Sequence, residues 1–314
     1  MQPPGRLKVR RLARSDLDAV VQLDAALAVR TRRAYFERRL SAALRHPELH
    51  LQFAVEQDGA HRGHALARVL EGEFGAARTA LRLEVISVAP DAQGHGAGRA
   101  LHEALEQEAA KRSIGEVRTV AAWRDHGTLQ FLDRLGYALA PSLVVECALR
   151  APAAEPPSEA NDYERLARDP ADIGLLTARD LDDIVRIDRA ITGRDRRGYL
   201  QNALDEALRE SGVRISLAAR QDGAMAGYIM ARADLGDFNR TEPVAVIDTI
   251  GVAPECASQG VGRTLLAQLF ANLATVGIER VETIVAATNV ELLGFFYAAG
   301  FAPGERLALA KRLE

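Results

Sequence analysis

Apolar residues along the chain switch repeatedly between two spacings, and the switches outline the elements. "LKVRRL" (7–12) and "IGLL" (173–176) read as short strands, whose side chains leave alternate faces. Each is followed by a helix opened by an aspartate, Asp16 or Asp180, and by a second helix around Tyr35 or Tyr199. Two strands come next, joined through Asp58-Gly59 or Asp222-Gly223, a dipeptide that accepts the left-handed backbone of a two-residue hairpin turn. A further apolar strand runs into Val-Ala-Pro, at 88–90 and 252–254, then into a glycine-bearing loop and a leucine-rich helix. "EVRTVAAW" and "RVETIVAA" each predict another strand, followed by a helix ending at Gly136 or Gly300 and a last strand region. Strands alternating with helices in this way predict an α/β fold.

The order is written twice. Pro90 and Pro254, Gly96 and Gly260, and Gly98 and Gly262 are each 164 residues apart. Without a gap, the same offset pairs Asp16 with Asp180, Asp24 with Asp188, Tyr35 with Tyr199, Gly59 with Gly223, Phe74 with Phe238, and Tyr137 with Phe301. The chain is a duplicated unit. Between the copies, "RAPAAEPPSEANDYERLARDPAD" (150–172) is rich in Pro, Ala and acids, lacks a hydrophobic period, and reads as a linker. The predicted division is 1–150, a linker at 151–170, and 171–314.

Composition narrows the partners. With 314 residues, 48% hydrophobic and 26% charged, there is room for two ordinary globular domains. A net charge of -3 supplies no broad basic field for nucleic acid. Two distant cysteines, Cys147 and Cys256, lack metal-ligand spacing and fit a reducing compartment. The N-terminal "MQPPGRLKVRRLARSDL" has no apolar h-region, and no segment reaches the roughly 18 apolar residues of a membrane span. A cytoplasmic protein without membrane partners is expected. All seven histidines fall in the first copy, but His61-x-x-His64 has no carboxylate or cysteine at ligand spacing, so no metal is expected.

The glycine loops carry the chemistry. A loop joining a strand end to a helix start presents unpaired N–H groups and the positive end of the helix dipole, a setting for phosphate. Neither loop has the third glycine of a dinucleotide fingerprint or a Walker lysine; a tight strand-to-helix turn is the plain alternative. The pattern resembles motif A of the GCN5-related N-acetyltransferase (GNAT) superfamily, Gln/Arg-x-x-Gly-x-Gly/Ala, which holds the pyrophosphate of acetyl-CoA. Gln93, Gly96 and Gly98 fill it in the first copy; in the second, Gly260 and Gly262 match, with Ala257 where Gln or Arg is usual. The family often continues with an asparagine, a tyrosine seven residues later, and Gly-Phe. The second copy has Asn289, Phe296 and Gly300-Phe301, and the first has Asp125, Leu132 and Gly136-Tyr137. The resemblance implies two tandem GNAT-like domains, each a mixed, mostly antiparallel central sheet flanked by helices.

It further implies acetyl transfer from acetyl-CoA to an amine by direct attack in a ternary complex. Residues matching the cofactor loops are Gln93, Gly94, His95, Gly96, Ala97, Gly98 and Arg99, and Gln259, Gly260, Val261, Gly262 and Arg263. Val88 and Val252 match the splayed strand facing the thioester oxygen, with Asn289 and Phe296 downstream. An amine with a pKa near 10 must lose a proton, and Glu84 and Asp248, at the shared offset, are the candidate bases. A sheet-edge acid or a salt bridge is the alternative. Strict alternation places Glu84 with Ile86 and Val88, and Asp248 with Ile250 and Val252. Leu132 and Phe296 occupy the position of the family's proton-donating tyrosine; Tyr297, one residue on and about 100° around the helix, is the candidate, or a surface tyrosine. Tyr35 and Tyr199 are further candidates, beside Arg32-Arg33 and Arg196-Arg197. Those arginines grip an acidic group or form a solvated helix face. Two functions stay open: an N-acetyltransferase, and a non-catalytic acetyl-CoA-binding module with degenerate copies. The acceptor, the active copy, the general acid and the oligomeric state are not fixed by sequence.

Overall fold

The computed structural model describes residues 6–27, 32–70, 72, 74, 79–149, 171–209, 215–235 and 243–313. The expected linker at 151–170 and Phe238 lie outside them. The first half contains β1 (Leu7–Arg11), α1 (Leu17–Leu27), α2 (Arg33–Arg45), β2 (His50–Gln57), β3 (Ala60–Leu70), β4 (Ala80–Val88), α3 (Ala97–Lys111), β5 (Glu116–Ala122), α4 (His126–Arg134), β6 (Ala138–Leu139) and β7 (Ser142–Ala148). The second contains β8 (Asp172–Leu175), α5 (Leu181–Thr192), α6 (Arg197–Arg209), β9 (Leu217–Gln221), β10 (Ala224–Leu235), β11 (Pro243–Val252), α7 (Val261–Thr275), β12 (Arg280–Ala286), α8 (Val290–Ala298), β13 (Ala302–Pro303) and β14 (Arg306–Arg312).

Local chemistry accounts for these elements. Asp58 and Gly59 (φ 54° and 78°), like Asp222 and Gly223 (φ 51° and 83°), adopt the two left-handed conformations that close a tight hairpin. Asp16 and Asp180 end short 3₁₀ turns before α1 and α5, their carboxylates accepting the backbone N–H of Ala13 and Thr177. α3 and α7 lay their leucines against the sheets, Leu101 and Leu105 in one core and Leu265, Leu269 and Leu273 in the other, all fully buried.

Each half thus builds the expected mixed sheet, mostly antiparallel with one parallel step, β4 to β5 or β11 to β12. The sheets do not follow the sequence boundary, however. Their orders are β1-β2-β3-β4-β5-β14-β6 and β8-β9-β10-β11-β12-β7-β13. β7 pairs along its length with β12 of the second half, and β14 with β5 of the first. The crossover is abrupt: Ala140 donates its N–H to Ala308 in one sheet, while the carbonyl of Pro141 accepts from Ala287 in the other. The division at 150 and 171 therefore separates repeats of sequence, not sheets. Alternation identifies a strand and its faces; it carries no information about the strand's neighbour.

Both parallel steps register over only two residue pairs, Leu81–Arg82 with Val117–Arg118 and Ala245–Val246 with Val281–Glu282, beyond which the strands part. Each of β4 and β11 also carries a bulge. Leu66 pairs with Val85 and Ala67 with Leu83, leaving Glu84 as the extra residue; Met230 pairs with Thr249 and Ala231 with Ile247, leaving Asp248. A bulge shifts the phase of alternation. Leu81 and Leu83 therefore share a core with Ile86 and Val88, while Val85 joins the opposite one. Strict alternation fails here: the two acids do not share the face of Ile86 and Val88 or of Ile250 and Val252.

Three histidines of the first half are buried, His50 on β2, His64 on β3 and His102 on α3, whose Nε2 lies 2.8 Å from the Tyr137 hydroxyl. Burial pushes their pKa values down to about 2, about 3 and about 4. The folded chain keeps them neutral while the unfolded chain protonates them below about pH 6.5. The stability they favour is thus full above that pH and is lost as pH falls toward the folded values, by up to about 1.4 kcal/mol per pH unit for each. Thermal melts should show a Tm that holds from pH 7.5 to about 6.5 and falls from there to pH 5, with a shallower fall in His64→Gln.

Candidate active site

Where β11 leaves β12, a cleft of about 690 Å³ opens in the second half. The glycine loop forms one wall. Gly260 is the N-cap of α7 with φ 84° and ψ -4°, and no side chain caps the helix. Gly96, at the start of α3, has φ 88° and ψ -3°, so the two loops have the same backbone. The left-handed φ explains Gly96 and Gly260. Gly98 and Gly262 have a different cause: a Cβ would stand 3.0 Å from the ring of Phe131 and 3.2 Å from that of Phe295. An uncapped α7 N-terminus facing an open cleft is the setting in which backbone N–H groups receive a phosphate.

The expected site residues separate into groups. Val252, Gly260, Val261, Gly262, Arg263 and Asn289 line the cleft together. Asn289 also caps α8, its Oδ1 accepting the N–H of Leu292. Gln259 turns away to donate to the carbonyl of Glu255. Phe296 is fully buried in the core, and its neighbour Phe295 faces the cleft instead. Tyr297 is 40% exposed and is not part of the lining. In the first half, the Gln93 side chain donates to the carbonyl of Val88 at 3.1 Å, and His95 Nδ1 lies 2.8 Å from the Gln93 carbonyl. Gly94, Gly96, Ala97, Gly98 and Arg99 continue that loop into α3.

Both candidate bases stand in an arginine-rich seam between the halves. Glu84 pairs with Arg39, and Asp248 lies 3.2 Å from Arg232 Nε. Glu206 on α6 ties the seam together, with Arg68 Nη1 at 2.6 Å, Arg232 Nη1 at 3.3 Å and Arg39 Nη1 at 3.7 Å. Burial raises the Asp248 carboxyl above the ordinary carboxylate range, against the pull of Arg232 and Arg68. Asp248 lines a second cavity of about 300 Å³, which shares Phe74 and Asn289 with the cleft.

Tyr228 and Gly251, which line the cleft, escaped the sequence reading. Tyr228 is 1% exposed and borders the cleft beside Thr249, its hydroxyl proton held by burial and by the nearby Asp188 carboxylate. Gly251 makes room for it, since a Cβ there would lie 2.7 Å from the ring. The repeat offset maps Tyr228 onto His64 and Gly251 onto Ser87, the one signal that could have singled them out. Arg196, paired with Asp188, also borders the cleft and donates to the carbonyl of Gly72 from the first half. Arg32 makes the matching buried pair with Asp24, whereas Arg33 and Arg197 form the solvated face. Phe74, from the first half, packs edge-on to Phe296 at 6.3 Å. Cys256 borders the cleft as well.

The acetyltransferase (GNAT) family model matches residues 17–137 and 178–301. The chain belongs to the GNAT family. This GNAT protein is 32% identical over 223 residues to mycothiol acetyltransferase of Clavibacter sepedonicus, covering 68% of this chain and 67% of that protein. It is 31% identical over 225 residues to the mycothiol acetyltransferase of Clavibacter michiganensis subsp. michiganensis, covering 69% and 67%. Among solved structures, a tandem GNAT protein from the clavulanic acid biosynthesis pathway matches with a TM-score of 0.60 at 18% identity, covering 98% of both chains. A GCN5-related N-acetyltransferase from Sphaerobacter thermophilus matches with a TM-score of 0.59 at 18% identity, covering 98% of this chain and 96% of that one. These likenesses establish the tandem GNAT fold. Among the described residues, no group of three or more His, Cys, Asp or Glu side chains is placed to hold a metal, and no helix is long and apolar enough to cross a membrane.

Proposed function

We propose that the GNAT protein is an acetyl-CoA-dependent N-acetyltransferase whose working site is the cleft of the second half. The observation that carries this reading is the convergence of an uncapped, glycine-started α7, the parted end of β11 and Asn289 around one open cleft. The residues present fit acetyl-CoA: the first turn of α7 receives the pyrophosphate, and backbone N–H groups near Val252 face the thioester, which supplies the acetyl group.

The chain's own groups then manage protons. Asp248, its basicity raised by burial, takes a proton from the acceptor ammonium, directly or through water, and frees the nitrogen lone pair. The nitrogen bonds to the acyl carbon, the C–S bond breaks, and the nitrogen sheds its second proton to bulk water, which balances the proton delivered to the sulfur. The Tyr228 phenol, kept protonated by its burial, donates to the departing sulfur in place of the family's tyrosine. Products are an N-acetylated amine and CoA thiol.

Calorimetry with acetyl-CoA tests the cofactor half of this reading. Gly260→Glu puts a carboxylate and a strained left-handed residue at the start of α7; it should abolish binding to the second half and thiol release, while Gly96→Glu should leave thiol release in place. Absence of acetyl-CoA binding in the unaltered protein would refute the reading.

A further inference from the structure

β11 runs past both the cleft and the second cavity. Val246, Ile247 and Asp248 line the second cavity, and Thr249 to Val252 line the cleft. The two spaces therefore meet at the step from Asp248 to Thr249. Among the described residues, Asn289 and Phe74 border both of them. Asn289 belongs to the second half and also serves the start of α8, where its Oδ1 accepts the N–H of Leu292. Phe74 comes from the first half.

The backbone of Phe74 has φ 47°, a left-handed conformation that is strained for a bulky side chain and persists only where the surroundings impose it. Two anchors do so, both on the second half. The half-buried ring packs against the core of that half and meets Phe296 edge-on, with centroids 6.3 Å apart. Two residues earlier, the carbonyl of Gly72 accepts from Arg196, whose guanidinium pairs with Asp188 and lies 5.0 Å from the centre of the Tyr199 ring. A ring held at two points is a fixed wall rather than a movable filler.

In the acetyl-transfer reading, the acceptor nitrogen lies beside Asp248 in the second cavity and the acyl carbon lies in the cleft, so the new bond forms where the two spaces meet. An aromatic wall at that place offers no charge to a ligand; it selects by shape.

Building on that reading, we infer that Phe74 is a specificity-determining residue: the ring that the first half places beside the second half's acyl-transfer point limits the bulk an acceptor can carry next to its nitrogen. An unhindered primary amine passes, and an aryl group one carbon from the nitrogen meets the ring. The first half thereby restricts the substrates of the second without taking part in proton transfer.

Amines of graded bulk test this. CoA thiol release is measured with ethylamine, butylamine, 2-phenylethylamine and benzylamine, and each kcat/KM is divided by that of ethylamine. Loss of a large apolar side chain leaves a hole, and such holes admit benzene-sized groups. Phe74→Ala should therefore raise the benzylamine ratio about tenfold or more, since a single methylene of pocket fit already changes kcat/KM by about tenfold. Phe74→Leu should fall between the two, and the acetyl-CoA Kd from calorimetry should stay that of the unaltered protein in both variants. A benzylamine ratio that does not rise in Phe74→Ala, no turnover of any of the four amines by protein that binds acetyl-CoA, or loss of acetyl-CoA binding in both variants, which would make the ring a cofactor contact, would each overturn the inference. Failure of the unaltered protein to bind acetyl-CoA would instead overturn the reading beneath it.

Discussion

Replacing Asp248 by asparagine is expected to lower kcat by about 10²–10⁴-fold, the usual contribution of a positioned general base. The exchange keeps the shape of the side chain and the bulge on β11 but removes proton affinity. The acetyl-CoA Kd should hardly change, because the proposed site for its phosphates is the start of α7, apart from the bulge. A pH profile supplies a readout that mere loss of structure would not. A base works only when deprotonated, so activity falls as pH drops through its pKa; burial has raised that value, so the acidic limb of kcat/KM should lie above the ordinary carboxylate range and vanish in Asp248→Asn. Glu84→Gln is the control at the matching bulge, and it should retain turnover. Equal losses in the two variants would remove the distinction between the halves.

Glu206→Ala should destabilise the whole protein by about 3 kcal/mol, the low end for breaking a buried ion pair because the glutamate keeps a fifth of its surface. Truncation leaves Arg68 and Arg232 without this shared carboxylate and weakens the hold on Arg39. The three arginines come from both halves, so one cooperative transition of the 314-residue chain should shift downward by roughly 4–5 °C. The arginines hold the Glu206 carboxyl well below the ordinary range; its contribution is therefore present above the unfolded value and lost as pH falls. Two separate transitions, with only one displaced, would mean that Glu206 does not bind the halves together.

The elements were legible because their cues are local. Asp-Gly at the hairpins, Pro90 and Pro254 at the strand ends, and leucines at helical spacing each act within a few residues. The backbone of the glycine loop was legible too, although its two glycines have separate causes: φ at Gly260, and the Phe295 ring against Gly262. What stayed hidden depends on distant partners. Asp248 leaves the face that alternation assigned to it because a bulge on β11 opposes β10. Arg196 reads like its neighbour Arg197, yet one is buried on Asp188 and the other exposed on Asp182. Phe74 reaches the other half's cleft although nothing in the sequence beside it names that destination. Tyr228 looked like any strand residue until Gly251, across the β10–β11 pair, provided its space.

The traded strands carry a historical implication. β7 and β14 occupy equivalent places under the 164-residue offset, each completing the other copy's sheet. A single repeat that kept this exchange would fold only as a two-fold symmetric homodimer, whose population falls on dilution. Joining two such genes in tandem turns that association into an intramolecular one at high effective concentration. Once the partner is guaranteed, the copies are released from being identical: equivalent positions such as His64 and Tyr228 can diverge, a freedom unavailable to a symmetric pair.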